Sequence, residues 1–513
     1  MYIQIIAEVH TQMNAETKKQ LSVMHKTLEE SDIYLHALSV MQFDMETLCP
    51  DKGIEQEGET IAALSNKMFR LQHRQAFIKA LEYLKDHRDE LEPQDALAVR
   101  IYYEGYLKEK NVTPALQHQF SRVFNKAFGD WQRARLASDF TAFAPALQDV
   151  VDAEKKIISL RETKMACGYD HLLDDYEKGM TSAKLDELFG TCRDRLVPFL
   201  EKIRKSKKKI RTDFLSRPVT DAAQEQMTKY LLDVLGFDRS RGAFALTEHP
   251  FTSHLARYDT RITTHYYPDR FISSMYSVIH ETGHALFDQN QRDDNALYHI
   301  DDKSMGQHES VSRLYENVFG RSESFIHLIY DKTCEIFPEA MAGVSEKELY
   351  EGVNLVEPSL IRTEADEFTY VLHIIIRYEL EKKLFAGEIG VADLPGLWAD
   401  YYEKYLGVRP ANDREGVLQD VHWTSMFGYF PTYALGNMYN AMYVKRMKSE
   451  LDVDSLILNG DFGTINSWMK TNVFEFADEL DPPEWIMKIT GKSLAPDDFL
   501  DYLENKYGEL YGL

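Results

Sequence analysis

The amino-acid sequence predicts a mostly α-helical fold that carries a very small β-sheet, and two patterns indicate it. Long segments such as residues 17–48 and 95–110 repeat apolar residues at three and four positions, with Glu and Lys on the opposite face. Only 26 glycines and 16 prolines interrupt the 513 residues, and few segments alternate apolar and polar residues for long. Helices are therefore expected to dominate.

Taken in chain order, roughly the first 235 residues read as amphipathic helices. The best strand candidates follow, at residues 242–246 (GAFAL) and 259–266 (DTRITTHY). Residues 273–290, with no proline and an apolar face, predict a helix directly after these strands. The apolar run at 371–380 contains a histidine and an arginine, so it predicts a buried helix rather than a membrane span.

Composition and charge make several classes of function unfavourable. With 83 acidic and 59 basic residues the net charge is −24, which repels nucleic-acid phosphates and anionic lipid headgroups. The four cysteines are scattered without a CxxC pair, so we expect neither a disulfide framework nor a thiolate metal site. We also expect no signal peptide and no membrane helix. The sequence thus predicts a cytoplasmic protein without nucleic-acid or membrane partners.

The motif HETGH contains the side chains with the clearest chemistry. His280 and His284 are four residues apart, so on a helix they lie one above the other and can share one metal ion. Glu281 then lies beside the metal as a candidate general base. Two ordinary histidines on an exposed helix are the alternative interpretation.

A second helix-like run, GQHESVSRLYENVFG at residues 306–320, argues against that alternative. Glu309 in this run can complete the two imidazoles to a His₂Glu site with one coordination position left for water. Such an open site is typical of catalytic zinc, whereas structural sites are closed by four thiolates and imidazoles. The predicted cofactor is one Zn²⁺ per chain, which Co²⁺ or Mn²⁺ could replace.

Six motifs in order resemble those of the M32 metallocarboxypeptidases, the thermostable carboxypeptidase 1 group. They are HPF (249–251), DTRIT (259–263), HETGH (280–284), HES followed by SR (308–313), IRTEAD (361–366) and GVLQDVHW (416–423). The resemblance implies a single peptidase unit over residues 1–513 with a two-lobed, gluzincin-type helical fold and a deep groove. It also implies a homodimer that removes single amino acids from peptides with a free C-terminus.

Within that unit we expect a helical region up to about residue 235 that flanks the groove. Residues from about 236 onward would hold the zinc site and bind substrate.

The resemblance also suggests which residues help Glu281. His422 and a tyrosine are expected to stabilise the oxyanion, and Tyr429 is preferred over Tyr433 because its GYF context resembles that of related helical zinc peptidases. Core packing is the alternative for either tyrosine. His308 could bond substrate or cap its helix.

Arg362 in IRTEAD is expected to bind the substrate carboxylate, because a guanidinium reads a carboxylate through two parallel hydrogen bonds. An ordinary salt bridge to Asp366, four residues on, is the alternative. Arg414 is the reserve candidate, and His249 is expected to shape the cleft. An acidic residue such as Asp366 or Asp420 is expected to orient a zinc-bound histidine, and the sequence does not select one.

Two other functions remain open at this point. An endopeptidase or oligopeptidase could use the same helical zinc scaffold, because both classes share HExxH with a distant glutamate. A non-enzymatic peptide-binding or metal-storage protein is the second alternative, although Glu281 argues against it, since a pure binding site needs no base beside the metal.

Overall fold

The computed structural model describes residues 13–292, 304–477 and 479–513. The first half of the described chain is built from nine long helices before any strand appears. They are α1 (Ala15–Thr47), α2 (Ile54–Gln72), α3 (Gln75–Lys85), α4 (Pro93–Glu109), α5 (Pro114–Ala137), α6 (Phe140–Leu160), α7 (Gly168–Tyr176), α8 (Ser182–Lys205) and α9 (Asp221–Leu235).

Helices also make up most of the second half. They are α10 (Phe271–Gln289), α11 (Met305–Arg313), α12 (Glu323–Ile336), α13 (Glu346–Val353), α14 (Tyr370–Ala386), α15 (Leu394–Leu406), α16 (Pro431–Glu450), α17 (Val453–Leu458), α18 (Phe462–Met469), α19 (Glu475–Ala477), α20 (Pro482–Thr490) and α21 (Asp497–Tyr511). The prediction of a mostly helical fold is confirmed. None of the described helices is both long enough and apolar enough to cross a membrane.

Three strands form the one sheet of the described residues: β1 (Gly242–Leu246), β2 (Thr252–Ala256) and β3 (Asp259–Thr264). Their order is β1-β3-β2, with β3 parallel to β1 and antiparallel to β2. The predictions of β1 and β3 are confirmed. β2 was not predicted, because its sequence TSHLA has no clear alternation of apolar and polar residues.

Two separate hydrophobic cores lie within the described residues. The small one joins α1, α3 and α4, with Met24, Phe77 and Val99 at its centre, and the large one begins with α5 and extends to α21. Two cores fit the predicted two-lobed fold. The first 235 residues contribute to both cores, so the predicted regional boundary there stays a prediction.

Close packing of three helices positions the site. A Cβ atom on Gly283 of α10 would lie 2.6 Å from Ser312 Cα of α11, and one on Gly436 of α16 would lie 3.0 Å from the Glu309 carbonyl carbon. Real Cβ atoms do not come as close as the first of these distances. Glycine therefore lets α10 and α16 approach the backbone of α11 from two sides.

Candidate active site

Three side chains that could hold a metal ion converge between α10 and α11. His280 and His284 lie one turn apart on α10, and Glu309 lies on α11. Each offers one ligand atom, and the three atoms lie within 4.8 Å of one another. Glu309 Oε2 is 3.3 Å from His284 Nε2 and 3.7 Å from His280 Nε2. Two imidazoles and one carboxylate in this arrangement fit a divalent metal of the catalytic type.

Further hydrogen bonds orient the first of these histidines. The Nδ1 atom of His280 is 2.8 Å from Glu316 Oε2. Arg313 donates to Glu309 Oε1 at 2.7 Å and to Glu316 Oε2 at 3.2 Å, so one guanidinium fixes the ligand carboxylate and the orienting carboxylate together. Glu316 lies on a π-helical segment, Leu314–Phe319, that continues α11. π-Helical segments are frequent at functional sites.

The expectation that Asp366 or Asp420 orients a zinc histidine is wrong, because both carboxylates bond elsewhere. Asp366 accepts hydrogen bonds from the backbone and hydroxyl of Thr369. Asp420 is bonded to Arg362 and Arg377. Glu316 takes the orienting position instead.

A chain of polar contacts lies behind the second histidine. His284 Nδ1 is 2.5 Å from His308 Nδ1, and His308 Nε2 is 3.0 Å from Asp288 Oδ1. His308 thus connects a metal ligand to a buried carboxylate on α10. Ser304, rather than His308, caps α11, since its hydroxyl accepts the backbone N–H of Gln307 at 2.9 Å.

The electrostatics of two of the three candidate ligands, Glu309 and His284, suit metal binding. Burial raises the pKa of Glu309, but the charges of Arg313 and His280 outweigh it and hold that pKa well below its usual range. Burial lowers the pKa of His284 to about 4, so its imidazole is neutral. Burial also lowers the pKa of His280, but Glu309 and Glu316 outweigh this and raise it overall. An ionised carboxylate and a neutral imidazole are the forms that bind metal.

Glu281 lies beside the ligands in a different environment. Its carboxylate accepts a hydrogen bond of 2.6 Å from the Thr252 hydroxyl of β2. Burial raises the pKa of Glu281, against the opposing effects of His280 and of this hydrogen bond. A buried carboxyl group with a raised pKa next to a metal site is suited to accept and return a proton.

Two cavities meet at this centre and form the predicted groove. One of about 650 Å³ extends toward Arg362, and one of about 380 Å³ extends toward His254 and Tyr429. Both are lined by the same central residues: His280, Glu281, Glu309 and Tyr433. The centre therefore has room for peptide on two sides.

Arg362 lines the larger cavity but is only 6% exposed. Its Nε atom donates to Asp420 Oδ1 and its Nη1 atom to the Tyr370 hydroxyl, both at 3.0 Å. Among the described residues its Nη2 atom has no hydrogen-bond acceptor. The alternative salt bridge to Asp366 is absent here, because residues 362–364 form a 3₁₀ turn rather than an α-helix.

Both candidate tyrosines and His422 lie near the centre. Tyr429 lines the smaller cavity, whereas Tyr433 lines both. The Tyr433 hydroxyl is 3.2 Å from His422 Nε2, and His422 Nδ1 is buried without a partner. Burial and the charge of Arg362 lower the pKa of His422 to about 3, so this imidazole is neutral.

Two of the predicted substrate-binding residues lie apart from these side chains. His249 is exposed and does not line either cavity, although the next residue, Pro250, lines both. Arg414 is exposed, lines neither cavity, and donates its backbone N–H to the Ser138 hydroxyl between α5 and α6. Their roles in binding stay predictions.

Comparison with known proteins identifies the family. A model of the carboxypeptidase Taq (M32) metallopeptidase family matches residues 23–507. The chain is a member of this M32 family. Carboxypeptidase 1 of Bacillus subtilis is 37% identical over 483 residues, covering 93% of this chain and 96% of that protein. Thermostable carboxypeptidase 1 of Thermus thermophilus is 36% identical over 497 residues, with the same two coverages.

Comparison with solved structures supports the same family assignment. The M32 carboxypeptidase of Deinococcus radiodurans superposes with a TM-score of 0.92 at 31% identity, covering 96% of this chain and 100% of that one. The M32 resemblance inferred from six motifs is confirmed. As an M32 metallopeptidase the chain is a metallocarboxypeptidase, which hydrolyses peptides with the help of a divalent metal ion.

Sequence reasoning missed several residues that support the M32 centre, and helical spacing could have found two of them. Glu316 is seven residues after Glu309, and Asp288 is four after His284, so each lies on the same helix face as a metal ligand. Thr252 lies on a strand and Tyr370 on a helix outside the zinc motif, and no local pattern indicated that they bond Glu281 and Arg362.

Proposed function

We propose that this M32 metallopeptidase is a zinc carboxypeptidase that releases one amino acid at a time from peptide C-termini. His280, His284 and Glu309 hold one zinc ion per chain. The observation that carries the proposal is that two of these ligands, His280 and Glu309, share a cavity with Arg362, a buried arginine that has a free edge. A substrate whose terminal carboxylate binds Arg362 would place its last peptide bond toward the metal ligands.

Zinc would act there as a Lewis acid that lowers the pKa of water to about 7 and polarises the scissile carbonyl, and Co²⁺ or Mn²⁺ could substitute. Glu281 accepts the proton of the attacking water and returns it to the leaving amine, so the same carboxyl group acts first as a base and then as an acid. The Thr252 hydroxyl holds this carboxylate in position.

We assign stabilisation of the oxyanion to His422 and a neighbouring tyrosine. If neutral His422 carries its proton on Nε2, it donates to the Tyr433 oxygen and leaves the Tyr433 hydroxyl proton free for the substrate carbonyl. Tyr433 is favoured over Tyr429, the choice from sequence, because it lines both cavities. Tyr433→Phe and Tyr429→Phe, compared on one substrate, distinguish the two.

Product analysis tests the function. The zinc-loaded protein and a chelated sample are incubated with an N-blocked peptide, as free acid and as C-terminal amide, and the products are read by mass. A zinc carboxypeptidase removes single residues from the free acid, cleaves the amide only slowly and stops on chelation. Internal cleavage of both peptides would instead support the oligopeptidase alternative, and no cleavage would support a binding protein.

A further inference from the structure

Arg377 on α14 is a fully buried arginine that lines neither cavity. Its Nε atom donates to Asp420 Oδ2 at 2.7 Å, and its Nη2 atom lies 2.6 Å from the same oxygen in an ion pair. Its Nη1 atom donates to the His373 carbonyl at 2.8 Å and to the Tyr402 hydroxyl at 3.1 Å. Its guanidinium also lies 4.5 Å from the Trp398 ring. The guanidinium is thus held on several sides and cannot itself reach a peptide in the groove.

Two adjacent side chains connect Arg377 to Arg362. The Asp420 carboxylate binds Arg362 through one oxygen and Arg377 through the other. The side-chain oxygen of Gln419 accepts the backbone N–H of Arg362 at 3.0 Å and Arg377 Nη2 at 2.8 Å. The position of Arg362 therefore depends, through two bridges, on an arginine that never contacts substrate.

The charges of this group do not balance. Burial raises the pKa of Asp420, but Arg377 and Arg362 outweigh it and hold that pKa well below its usual range, so the carboxylate is ionised. Nearby His422 and His373 are neutral, because burial lowers the pKa of each. Among Arg362, Arg377 and Asp420, two guanidinium groups against one carboxylate leave one positive charge in excess. Buried Glu381 also lies near Arg377, but burial raises its pKa to about 7, so it offsets that charge only in part.

We propose that Arg377 is a positioning residue for recognition of the substrate C-terminus: through Asp420 and Gln419 it fixes the guanidinium of Arg362, and the substrate carboxylate neutralises the excess charge. The inference rests on the proposed function of Arg362. If Arg377 served stability alone, an ion group with an excess charge would be a costly choice, since buried ion pairs are often no more stable than apolar replacements.

The test is a double-variant cycle of the zinc-loaded protein: wild type, Arg362→Ala, Arg377→Lys and both changes together. Each protein is assayed on one N-blocked peptide as free acid and as amide, with zinc content and thermal midpoint measured alongside. Lysine keeps the charge but cannot make the paired contacts to Asp420 and Gln419. We expect Arg377→Lys to raise KM for the free acid about 10-fold, with kcat and amide hydrolysis nearly unchanged.

The cycle distinguishes failure of the role proposed for Arg377 from failure of the role proposed for Arg362. In the Arg362→Ala background, Arg377→Lys should have no further effect on the ratio of acid to amide hydrolysis, because its influence passes through Arg362. If Arg362→Ala lowers this ratio and Arg377→Lys does not, the inference fails while the proposed function stands. If Arg362→Ala leaves the ratio unchanged, the proposed role of Arg362 fails.

Two further variants guard against a purely structural effect. Arg161→Lys is the matched control, since Arg161 is a largely buried arginine that binds the Asp175 carboxylate and lines neither cavity. Its ratio of acid to amide hydrolysis should equal that of the wild type. Asp420→Asn repeats the test if Arg377→Lys lowers the thermal midpoint. Equal losses on acid and amide in both Arg377→Lys and Asp420→Asn would overturn the proposal and leave Arg377 a structural residue.

Discussion

At the scale of single residues, two buried glutamates at the candidate metal site differ in pKa in a way that supports the separate roles proposed for them. The pKa of Glu309 lies well below its usual range because Arg313 and His280 outweigh the effect of burial. The pKa of Glu281 is raised, because burial prevails there. The first group stays ionised, as the proposed ligand must, and the second is suited to take up a proton and return it, as the proposed base must.

Glu281→Gln tests this division of roles. Glutamine has nearly the same shape but accepts no proton, so zinc content and fold should be kept while kcat falls by about 10²- to 10⁴-fold. Steady-state kinetics and metal analysis of the purified variant measure both. Loss of zinc in this variant would mean that Glu281 is a ligand and would remove its assignment as the base.

The sequence predicts some residues of this site and not others. His280, Glu281 and His284 share a spacing that one helix imposes, so the motif alone suggested them, whereas Glu309 lies on a second helix and came from a separate run. The family resemblance suggested Arg362, but its contacts with Asp420 and Tyr370 depend on the tertiary structure. Glu316 was overlooked, although helical spacing places it on the same face as Glu309. Arg377 lies in a run that predicts an ordinary buried helix. Its proposed role can be inferred only from the contacts that Asp420 makes in the folded protein.

At the scale of secondary structure, the spacing between α10 and α11 sets the distance between the metal ligands. Gly283→Ala places a Cβ atom 2.6 Å from the backbone of Ser312, which cannot yield as a flexible side chain could. We expect α11 to be displaced and zinc affinity to fall at least 10-fold, since misplaced ligands hold metal poorly. Competition with a chelator measures the affinity.

Gly105→Ala on α4 is the matched control, because a Cβ atom there meets nothing within 4 Å. That change should leave zinc affinity unaltered and stabilise the protein by about 0.5–1 kcal/mol through helix propensity. Equal zinc affinity in the two variants would show that the close contact at Gly283 does not control the site.

A buried carboxylate at the start of α11 predicts a pH effect. Glu177 accepts hydrogen bonds from Ser304 and Tyr439 at 2.5 Å and from the Gly306 backbone at 3.2 Å. Burial raises its pKa to about 7, from 4.5 for an ordinary glutamate. An acid with a raised folded pKa contributes stability that is fully present below pH 4.5 and is lost as pH rises through about 7.

Glu177→Gln removes this titration while keeping most of the hydrogen bonds. Relative to wild type, its thermal midpoint should therefore rise between pH 4.5 and 8, by an amount equivalent to at most about 3 kcal/mol. Scanning calorimetry across that range measures the difference. A difference that does not change with pH would show that folding does not raise the pKa of Glu177.

The predicted elements show where local patterns suffice. α1 and α10 follow from the periodicity of their apolar residues, and β1 and β3 from short alternating runs. β2 was missed because it is held by pairing to β3 rather than by its own composition. The π-helical segment after α11 was also missed, because its sequence reads as a plain continuation of the helix.

At the scale of the whole molecule, the family, the helical fold and the peptidase activity agree with the interpretation of the sequence. Six motifs spread over residues 249–423 were sufficient for this, since their order and spacing suit one fold. The homodimer and the cytoplasmic location stay predictions. Neither follows from contacts within a single chain.

The net charge of −24 predicts opposite salt effects for substrates of opposite charge. Between 0.01 and 0.15 M salt the Debye length falls from about 30 to about 8 Å, which weakens long-range repulsion of anionic peptides and attraction of cationic ones. We expect kcat/KM to rise with salt for an acidic N-blocked peptide and to fall for a basic one with the same C-terminal residue. The same trend for both would contradict this field effect.

The central claim is that Arg362 makes this metallopeptidase a carboxypeptidase by reading the substrate terminus. The most direct measurement is kcat/KM of wild type and Arg362→Ala on one N-blocked peptide, as free acid and as amide. The claim predicts a loss on the acid corresponding to about 1.5–3 kcal/mol or more, little change on the amide, and unchanged zinc content. Equal losses on acid and amide would contradict it and would mean that Arg362 holds the fold through Asp420.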